Sequence, residues 1–397
     1  MIEPNAGGLM RKRSKKFYAF IGALGVVLVL ALLITFRTGP ISRPLQTKQG
    51  VSLATAAQMP GVNCRDLTFP VKLKPGAWFT HTVAGTLCWA GKLDGKALAV
   101  MVSGAGYGSL YWDFPYQPNT YSFVRAALKR QLATFNFDRL GTGRSDRPFG
   151  LLLGIDNQAY VLAQIIETLA GRHDFRAIVT LGHSFGSTIS LAHALAYPDN
   201  VDGLVLTGFV HNSNPGFGLA MRDGVHVAAF KGPFAGATVD PTYIISKPSS
   251  RAEIFYTADN TDPVVIDIDE LNPQTTTIGE VISMPTYFKE QSKALTVPAF
   301  TLIGEDDFVV CGGALECTDH DALISWESQF FSPVSCHEII ILDDTNHNAN
   351  LHRNAPHNFQ LMLNWIERRV GIGGPPTEPC DLDGRDSEPS QAEALKR

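Results

Sequence analysis

The segment TLGHSFGS at residues 180–187 has the pattern G-x-S-x-G, with Ser184 at its centre. An apolar run that predicts a buried strand precedes it, and a run with helical periodicity follows it. A serine between a strand and a helix must lie on a sharp turn, where a Cβ at Gly182 or Gly186 would collide with neighbouring backbone. The segment therefore predicts a serine hydroxyl raised above the strand ends. It also places the N–H of Phe185 at a helix start, where negative charge is favoured.

Strands and helices alternate on both sides of this turn. Buried strands are predicted at residues 97–102, 132–137, 201–206, 297–303 and 338–342, and helices at residues 160–169 and 357–370. The alternating order predicts an α/β fold with a mainly parallel, doubly wound sheet. Ahead of this sheet, residues 67–71 and 78–89 predict a β-hairpin.

The alternation is interrupted between about residues 209 and 292, a segment rich in Phe, Tyr, Gly and Pro. We interpret this segment as a cap inserted into a domain that covers residues 61–370. Residues 37–60 contain three prolines and little periodicity, and they predict a linker. Residues 371–397 are rich in Pro, Gly and Glu and predict a disordered tail, apart from Cys380.

The N-terminal region predicts a membrane anchor. Residues 1–16 contain five Lys and Arg residues, and residues 17–36 contain no charged residue. Twenty helical residues span about 30 Å, the thickness of a bilayer core. Because the basic side stays in the cytosol, residues 1–16 would be cytosolic, residues 17–36 would be a single-pass signal anchor, and the remaining chain would be lumenal or extracellular. Two alternatives stay open, a cleaved signal peptide that leaves a secreted protein and a buried core helix.

The six cysteines allow up to three disulfides in 15 possible pairings. Disulfides persist outside the cytosol, where the anchor would place the domain. The predicted pairings are Cys311–Cys317, Cys64–Cys88 and Cys336–Cys380. The first pair flanks two glycines, the second would join the hairpin, and the third would fix the tail.

The composition is that of an ordinary globular protein, with 45% hydrophobic and 18% charged residues. The net charge of −5 argues against a nucleic-acid partner. The glycine-rich loop at residues 103–108 contains no lysine and lacks the phosphate-loop pattern. The sequence contains no C-x-x-C or H-E-x-x-H motif, so neither a metal nor a cofactor is expected.

Two later strands lead into residues that could assist a nucleophilic serine, which needs a base and an orienting acid. One strand is followed by Glu305, Asp306 and Asp307, and the last strand is followed by His347. In a doubly wound sheet the carboxyl ends of the strands meet at one edge. The chain order is therefore Ser184, an acid, and then His347.

Over residues 66–370 the chain resembles the α/β-hydrolase superfamily. Four signatures match in order: the glycine-rich loop, the D-x-x-G-x-G-x-S segment at residues 138–145, the serine turn, and G-x-x-D followed later by N-H-N. The resemblance implies an α/β-hydrolase fold with an inserted cap. It also implies that Ser184 is the nucleophile, Asp307 the acid and His347 the base.

Other residues near these positions have alternative interpretations. Asp306 and Glu305 are the fallback acids. His352 and His357 follow the predicted base closely, in or near the closing helix, where solvated histidines are expected. His183 is expected to be a structural residue beneath the turn.

The resemblance implies an oxyanion hole formed by the N–H of Phe185 and an N–H from the loop after the third strand. Relatives commonly have His-Gly where this chain has Ser103 and Gly104. The next residue, Ala105, would supply the second donor, with its position open by one residue. The segment 138–145 is expected to brace this loop without being catalytic.

The loop residues Tyr107, Tyr111 and Trp112 would line the substrate pocket, which suggests an apolar substrate. Four cap aromatics would add to it: Phe209, Phe217, Phe230 and Phe234. Each of these aromatics could instead belong to a core that never touches substrate. We expect hydrolysis of a hydrophobic carboxylic ester or lactone through an acyl-enzyme. The alternatives are a peptidase or thioesterase, a non-hydrolytic enzyme of the same fold, and a non-catalytic binding protein.

Overall fold

The structure is a computed structural model that describes residues 38–287, 290–313 and 315–380, with Tyr18, Gly22, Leu24, Gly25 and Ala31. The predicted cytosolic segment 1–16 and nearly all of the predicted anchor 17–36 lie outside the described residues. Within the part of the chain that is described, no helix is both long and apolar enough to cross a membrane. The anchor and its orientation therefore stay predictions.

A mainly parallel sheet lies at the centre of the described chain. In chain order the strands are β1 (Val62–Val71), β2 (His81–Ala90), β3 (Ala97–Val102), β4 (Ala133–Asp138), β5 (Ala177–His183), β6 (Gly203–Thr207), β7 (Val225–Val227), β8 (Tyr243–Ser246), β9 (Thr276–Thr277), β10 (Ala299–Gly304) and β11 (Glu338–Leu342). Eight of them form one sheet in the order β1-β2-β4-β3-β5-β6-β10-β11. β2 is antiparallel to both of its neighbours, and the other pairs are parallel. The predicted sheet with a hairpin at its edge is confirmed.

Helices cover both faces of this sheet. The described α-helices are α1 (Pro118–Tyr121), α2 (Phe123–Lys129), α3 (Ile155–Ala170), α4 (Phe185–Ala196), α5 (Pro215–Gly224), α6 (Ser250–Phe255), α7 (Pro263–Leu271), α8 (Ile278–Ser283), α9 (His320–Ser328) and α10 (Ala355–Arg369). Residues of α2 and α10 pack with Met101 of β3, whereas residues of α3 and α4 pack with Val100 and Val102. Because neighbouring strand residues point to opposite faces, β3 is buried on both sides. This is the doubly wound arrangement that the sequence predicts.

The insertion between β6 and β10 forms a cap that covers the predicted segment 209–292. It contains α5 to α8 and a small antiparallel sheet of β7, β8 and β9. The cap is fixed to the core by buried contacts such as the Tyr243 hydroxyl, which donates to the carbonyl of Pro148 at 2.6 Å. Cap residues and Ser184 consequently share one cavity.

The predicted linker 37–60 packs on the domain over its described part. Thr38 pairs with Arg147 of the core. Lys48 forms an ion pair with Asp267 of α7 in the cap. This segment therefore bridges the core and the cap.

All three predicted disulfides are present: Cys64–Cys88, Cys311–Cys317 and Cys336–Cys380. The first joins β1 and β2, where the two cysteines lie opposite each other in register. The third ties the start of the predicted disordered tail to the loop before β11. Glu378 also pairs with Arg368 of α10 at 2.7 Å, so residues 371–380 have a defined place against the domain. Residues 381–397 lie outside the described residues.

Replacing Cys64 and Cys88 together by alanine should lower the free energy of unfolding by about 2–4 kcal/mol, because the bridge restricts the unfolded chain. Chemical denaturation of the oxidised parent protein and of the double variant measures the difference. Peptide mapping without reductant is the control. Recovery of Cys64 or Cys88 as a free thiol would contradict the pairing.

Candidate active site

The turn at Ser184 has the strained geometry that the sequence predicts. β5 is followed at once by α4, and the connecting Ser184 lies at φ 54° and ψ −120°. A Cβ built on Gly182 would lie 2.3 Å from the Cα of Ser187, and one built on Gly186 would lie 2.1 Å from the carbonyl oxygen of Val102. Only glycine fits at these two positions, which confirms their predicted role. A non-glycine residue at such a positive φ is strained by about 1–3 kcal/mol.

Hydrogen bonds to β6 hold this turn in place. The N–H of Ser184 donates to the carbonyl of Thr207 at 2.8 Å. The hydroxyl of Ser187 donates to the same carbonyl at 2.9 Å and accepts the N–H of Thr207 at 3.1 Å. The nucleophile candidate is therefore fixed to two neighbouring strands.

His347 and Asp307 form a buried pair at the same edge of the sheet. Nδ1 of His347 lies 2.9 and 2.8 Å from the two carboxylate oxygens of Asp307. That carboxylate also accepts the N–H of Val309 at 3.0 Å. The Oδ1 of Asn346 accepts the N–H groups of His347 and Phe308 at 2.7 and 3.1 Å, so it joins the two loops. With the Nδ1 proton donated to Asp307, Nε2 is left as the acceptor.

The two fallback acids have other partners. Asp306 accepts the hydroxyl of Thr257 at 2.9 Å, and Glu305 accepts the N–H of Asp344 at 2.8 Å. Neither carboxylate contacts the candidate base among the described contacts. The carboxylate beside the base is thus the one that the family pattern marks.

One cavity brings Ser184 and His347 together. In the described residues its wall includes Phe217, Met221, Val225, Ile244, Ile254 and Phe255 from the cap, and Ala105, Gly106 and Tyr107 from the loop after β3. Ser184 and His347 line this cavity without a direct hydrogen bond in the described structure. Such bonds are often long before a substrate binds.

The N–H groups of Phe185 and Ala105 lie close to the serine. Phe185 follows Ser184 directly, and Ala105 lines the same cavity. Neither N–H donates to a protein acceptor within the described part of the chain. A Cβ built on Gly104 would lie 3.1 Å from the Cβ of Ser184, so the loop passes close to the turn. Both N–H groups are therefore free to bind an oxyanion.

Tyr107 lines the cavity, whereas Tyr111 and Trp112 do not. Tyr111 is 1% exposed and stacks on His183, with ring centres 4.1 Å apart. Trp112 is fully buried against Phe123. Both side chains belong to the core under the loop, because the turn after the loop directs them inward.

The four aromatic residues predicted to line the pocket from the cap lie in different environments. Phe217 lines the cavity. Phe209 is buried in the core, and Phe234 lies beneath the guanidinium of Arg147. Phe230 is 73% exposed.

A buried polar cluster beside the cavity has no counterpart in the sequence predictions. Asp269 accepts two bonds from Arg251 at 2.7 and 3.1 Å, and it accepts the hydroxyls of Tyr107 and Tyr256 at 3.0 and 2.7 Å. The side-chain amide of Asn348 donates to the oxygen of Tyr107 at 2.7 Å. Burial raises the pKa of the Tyr107 phenol well above its usual value, so Tyr107 stays protonated. No motif marks this cluster, because its members come from three distant parts of the chain.

Two further buried histidines lie near the base. His183 lies beneath the turn, where burial lowers its pKa well below the usual value. The prediction of a solvated His352 is wrong. Its Nδ1 donates to the carbonyl of Asn348 at 2.9 Å, and its Nε2 accepts the N–H groups of Asn346 and Thr257 at 3.2 and 3.0 Å. Burial lowers the pKa of His352 to about 4.

In the described part of the chain, three side chains of types that can bind a metal lie close together: Glu305, His320 and Asp343. Their donor atoms lie within 4.8 Å of one another, and Asp343 is exposed. None of the three lines the cavity that contains Ser184. This group therefore lies outside the wall of that cavity.

A family model covers the centre of the chain. The model described as serine aminopeptidase, S33, matches residues 119–324, more than half of the chain, including Ser184 and Asp307. The chain belongs to this α/β-hydrolase family.

Curated relatives match shorter segments. The 2-hydroxy-6-oxo-2,4-heptadienoate hydrolase of Pseudomonas putida is 32% identical over 111 residues, 28% of this chain and 37% of that protein. The proline iminopeptidase of Arabidopsis thaliana is 30% identical over 149 residues, 37% of this chain and 36% of that protein. The matched segments thus span about a third of the length of these relatives.

Solved structures extend the likeness to most of the domain. The carboxylesterase CesB of Bacillus subtilis has a TM-score of 0.51 at 15% identity, covering 76% of this chain and 92% of that one. The monoacylglycerol lipase of Paleococcus ferrophilus has a TM-score of 0.50 at 15% identity, covering 72% and 98%. At these identities the likeness establishes the fold alone.

The free energy of unfolding should fall as the pH is lowered from about 6.5 to about 4, the range between the ordinary and the native pKa of His352. In this range the unfolded chain binds a proton at His352 that the folded chain excludes, so stability rises with pH. The slope is up to about 1.4 kcal/mol per pH unit for this histidine. Denaturation between pH 7 and 4 should show a smaller slope for His352→Gln than for the parent. An NMR titration of His352 with a midpoint near its ordinary pKa would contradict this.

Proposed function

We propose that the protein is a serine hydrolase that cleaves a hydrophobic carboxylic ester or lactone through an acyl-enzyme. The observation that carries this proposal is one apolar cavity lined by both Ser184 and His347, with Asp307 bound to the far side of the imidazole. The nucleophile, base, acid and oxyanion donors all belong to the chain. The reaction therefore needs no cofactor.

In the first half-reaction the Ser184 oxygen attacks the carbonyl carbon of the substrate, and its proton passes to Nε2 of His347. The carbonyl electrons move to the oxygen, which accepts the N–H groups of Phe185 and Ala105. Asp307 stabilises the imidazolium. When the tetrahedral intermediate collapses, the carbon–oxygen bond to the alcohol breaks and the leaving oxygen takes the proton from His347.

In the second half-reaction a water molecule attacks the acyl carbon. His347 takes a proton from this water and returns it to Ser184 as the acyl–serine bond breaks. The carboxylic acid is released, and both side chains return to their starting states. For a lactone the alcohol stays attached to the acyl group, so one hydroxy acid is the product.

The composition of the cavity wall favours an uncharged substrate. Its described residues include no Asp, Glu or Lys, and its one arginine is Arg251. Asp269 neutralises that charge at an N–O distance of 2.7 Å, and both side chains are buried. A charged substrate group would lose water there without gaining an unpaired counter-charge.

The same wall argues against an aminopeptidase. Such an enzyme must bind the protonated amino terminus of a peptide, and a carboxylate is the strongest partner for that positive charge. The described wall includes no Asp or Glu, and Asp269 behind it is already paired with Arg251. We therefore favour an ester over a peptide.

An organophosphonate should label Ser184 and no other serine. Ser184→Ala and His347→Ala should each lose nearly all turnover of a panel of acyl-chain and lactone substrates, because the members act as a unit. Asp307→Asn should lower kcat by up to about 10⁴-fold, since the imidazole would adopt the wrong tautomer. Mass spectrometry locates the label, and steady-state assays measure the rates.

The matched control is Asp306→Asn, the same chemical change at the adjacent residue. Asp306 is bonded to Thr257 and not to the base, so this variant should keep both label and turnover. A folded parent that takes no label would refute the hydrolase and favour a binding protein. If Asp306→Asn loses activity while Asp307→Asn keeps it, the acid is misassigned.

We also propose that residues 17–36 anchor the protein in a membrane, with the catalytic domain on the lumenal or extracellular side. The three disulfides support a compartment outside the cytosol. Thr38 follows the apolar run by two residues and pairs with Arg147. Such a short connection would hold the domain close to the bilayer.

An apolar face lies next to Thr38 and supports this placement. Its exposed side chains are Leu151, Leu152, Val239, Val281 and Ile282. The hydroxyls of Thr38 and Thr238 lie 3.4 Å apart, and Asp240 accepts the N–H of Gly150 at 2.8 Å, which brings residues 150–152 and 238–240 close to Thr38. A Cβ built on Gly279 would lie 2.5 Å from the carbonyl oxygen of Gly150, so α8 with Val281 and Ile282 packs against the same segment. An exposed apolar face of this kind suits contact with lipid.

Protease added outside sealed endomembrane vesicles should spare the catalytic domain and remove an epitope placed ahead of residue 17. Detergent should then expose the domain to digestion. Immunoblotting of both ends of the chain measures the two outcomes. Complete digestion of the domain without detergent would rule out the proposed orientation.

A further inference from the structure

The loop that carries the second oxyanion donor rests on a buried arginine. Arg139 is 1% exposed and lies beneath the loop 103–108. Its Nε donates to the carbonyl of Ser103 at 2.8 Å, and its Nη2 donates to the carbonyl of Gly104 at 2.9 Å. Its Nη1 forms an ion pair with Glu280 of the cap. All three nitrogens of the guanidinium are therefore engaged.

The bond from Arg139 to the carbonyl of Gly104 helps to set the direction of the N–H of Ala105. The carbonyl of Gly104 and the N–H of Ala105 belong to the same peptide group, which is planar and trans, so they point in opposite directions. A donor that fixes this carbonyl therefore also fixes the direction of the N–H. The N–H of Ala105 has no protein acceptor in the described chain, and the carbonyl of Gly104 also accepts the N–H of Tyr107 at 3.2 Å within the loop. The bond from Arg139 is the one that ties this peptide to a side chain beneath the loop.

Arg139 also contacts the residue that carries the other donor. Its guanidinium carbon lies 5.2 Å from the ring centre of Phe185, whose N–H is the first proposed donor. A guanidinium suits this place, because its planar fork can bind two carbonyls and a carboxylate at the same time. One side chain thus contacts both halves of the proposed oxyanion hole.

We propose that Arg139 is a positioning residue that assembles the oxyanion hole by aiming the N–H of Ala105 at the developing oxyanion. This inference rests on the proposed acyl-transfer function and adds to it the group that orients the hole. Arg139 does not line the cavity among its described residues. It therefore acts through the loop and not on the substrate.

The ion pair between Arg139 and Glu280 connects the cap to the loop that carries Ala105. Glu280 belongs to α8, and its carboxylate also accepts the N–H of Thr277 at 2.9 Å and the amide of Gln158 at 3.0 Å. At the other end of the loop, Arg251 of the cap donates to the carbonyl of Gly106 at 3.1 Å. The orientation of the hole consequently depends on a docked cap.

Steady-state kinetics of the full-length chain in detergent tests the inference with Arg139→Gln and Arg139→Lys. Arg139→Gln should lower kcat about 10²–10³-fold, the loss typical of one oxyanion donor. KM should change by less than about threefold, because the cavity wall is intact. Arg139→Lys keeps the charge beside Glu280 but lacks the fork, so it should recover part of kcat. The affinity for a trifluoromethyl ketone, which forms a tetrahedral oxyanion adduct, should fall by the same factor as kcat.

Arg147→Gln is the matched control. Arg147 is also buried and follows the same strand, but it donates to the carbonyls of Gly143 and Ser145 and not to the oxyanion loop. This variant should lose stability, measured as Tm, while keeping kcat. It separates loss of the hole from general weakening of the core.

Three results would overturn the inference while the parent hydrolyses esters. The first is a folded Arg139→Gln with parental kcat and inhibitor affinity. The second is an equal loss of kcat in Arg147→Gln. If Arg139→Gln does not fold, the third result is an Arg139→Lys variant that keeps the kcat of the parent and its affinity for the ketone. A folded parent that hydrolyses no ester would instead refute the proposed function and this inference together.

Discussion

The strained turn at Ser184 is the constraint on which the rest of the site depends. Its backbone lies at φ 54° and ψ −120°, a conformation that costs about 1–3 kcal/mol. The surrounding packing must offset this cost, and the missing side chains of Gly182 and Gly186 are what allow that packing. The bonds from Ser184 and Ser187 to Thr207 leave the turn little freedom to relax. The direction of the hydroxyl is therefore set by the sheet and not by the serine itself.

Buried pairs of polar side chains connect the sheet to the loops around the site. Three of them lie beside the cavity or the loop after β3: the hydrogen-bonded pair His347–Asp307 and the ion pairs Arg139–Glu280 and Arg251–Asp269. A buried ion pair adds little net stability, because the loss of water offsets the attraction between the charges. Its directional hydrogen bonds, in contrast, permit only one arrangement of the groups. The two arginine pairs both include a cap residue, so the cap and the loop beside Ser184 are parts of one polar framework.

The parts of the site that follow a local pattern could be predicted from the sequence. The steric need for Gly182 is local, and the spacing G-x-x-D fixes Asp307 at a strand end. The environment of the aromatic residues after the loop 103–108 could not be predicted, because the same sequence can direct Tyr111 into the core or into a pocket. The burial of His352 could not be predicted, because it depends on contacts with Thr257, a distant residue of the cap. The cluster around Arg251 has no local pattern at all, since its members meet only when the cap docks.

The neutral state of His183 follows from the same packing and bears on the base. Its ring centre lies 4.9 Å from that of His347, and its other face stacks on Tyr111. Burial is the main cause of its lowered pKa. In the proposed reaction, a protonated His183 would repel the imidazolium that His347 would form on accepting the proton of Ser184. Because the core keeps His183 neutral, no second imidazolium would oppose a positive charge on His347. The packing that strains the serine would therefore also favour its deprotonation in the proposed reaction.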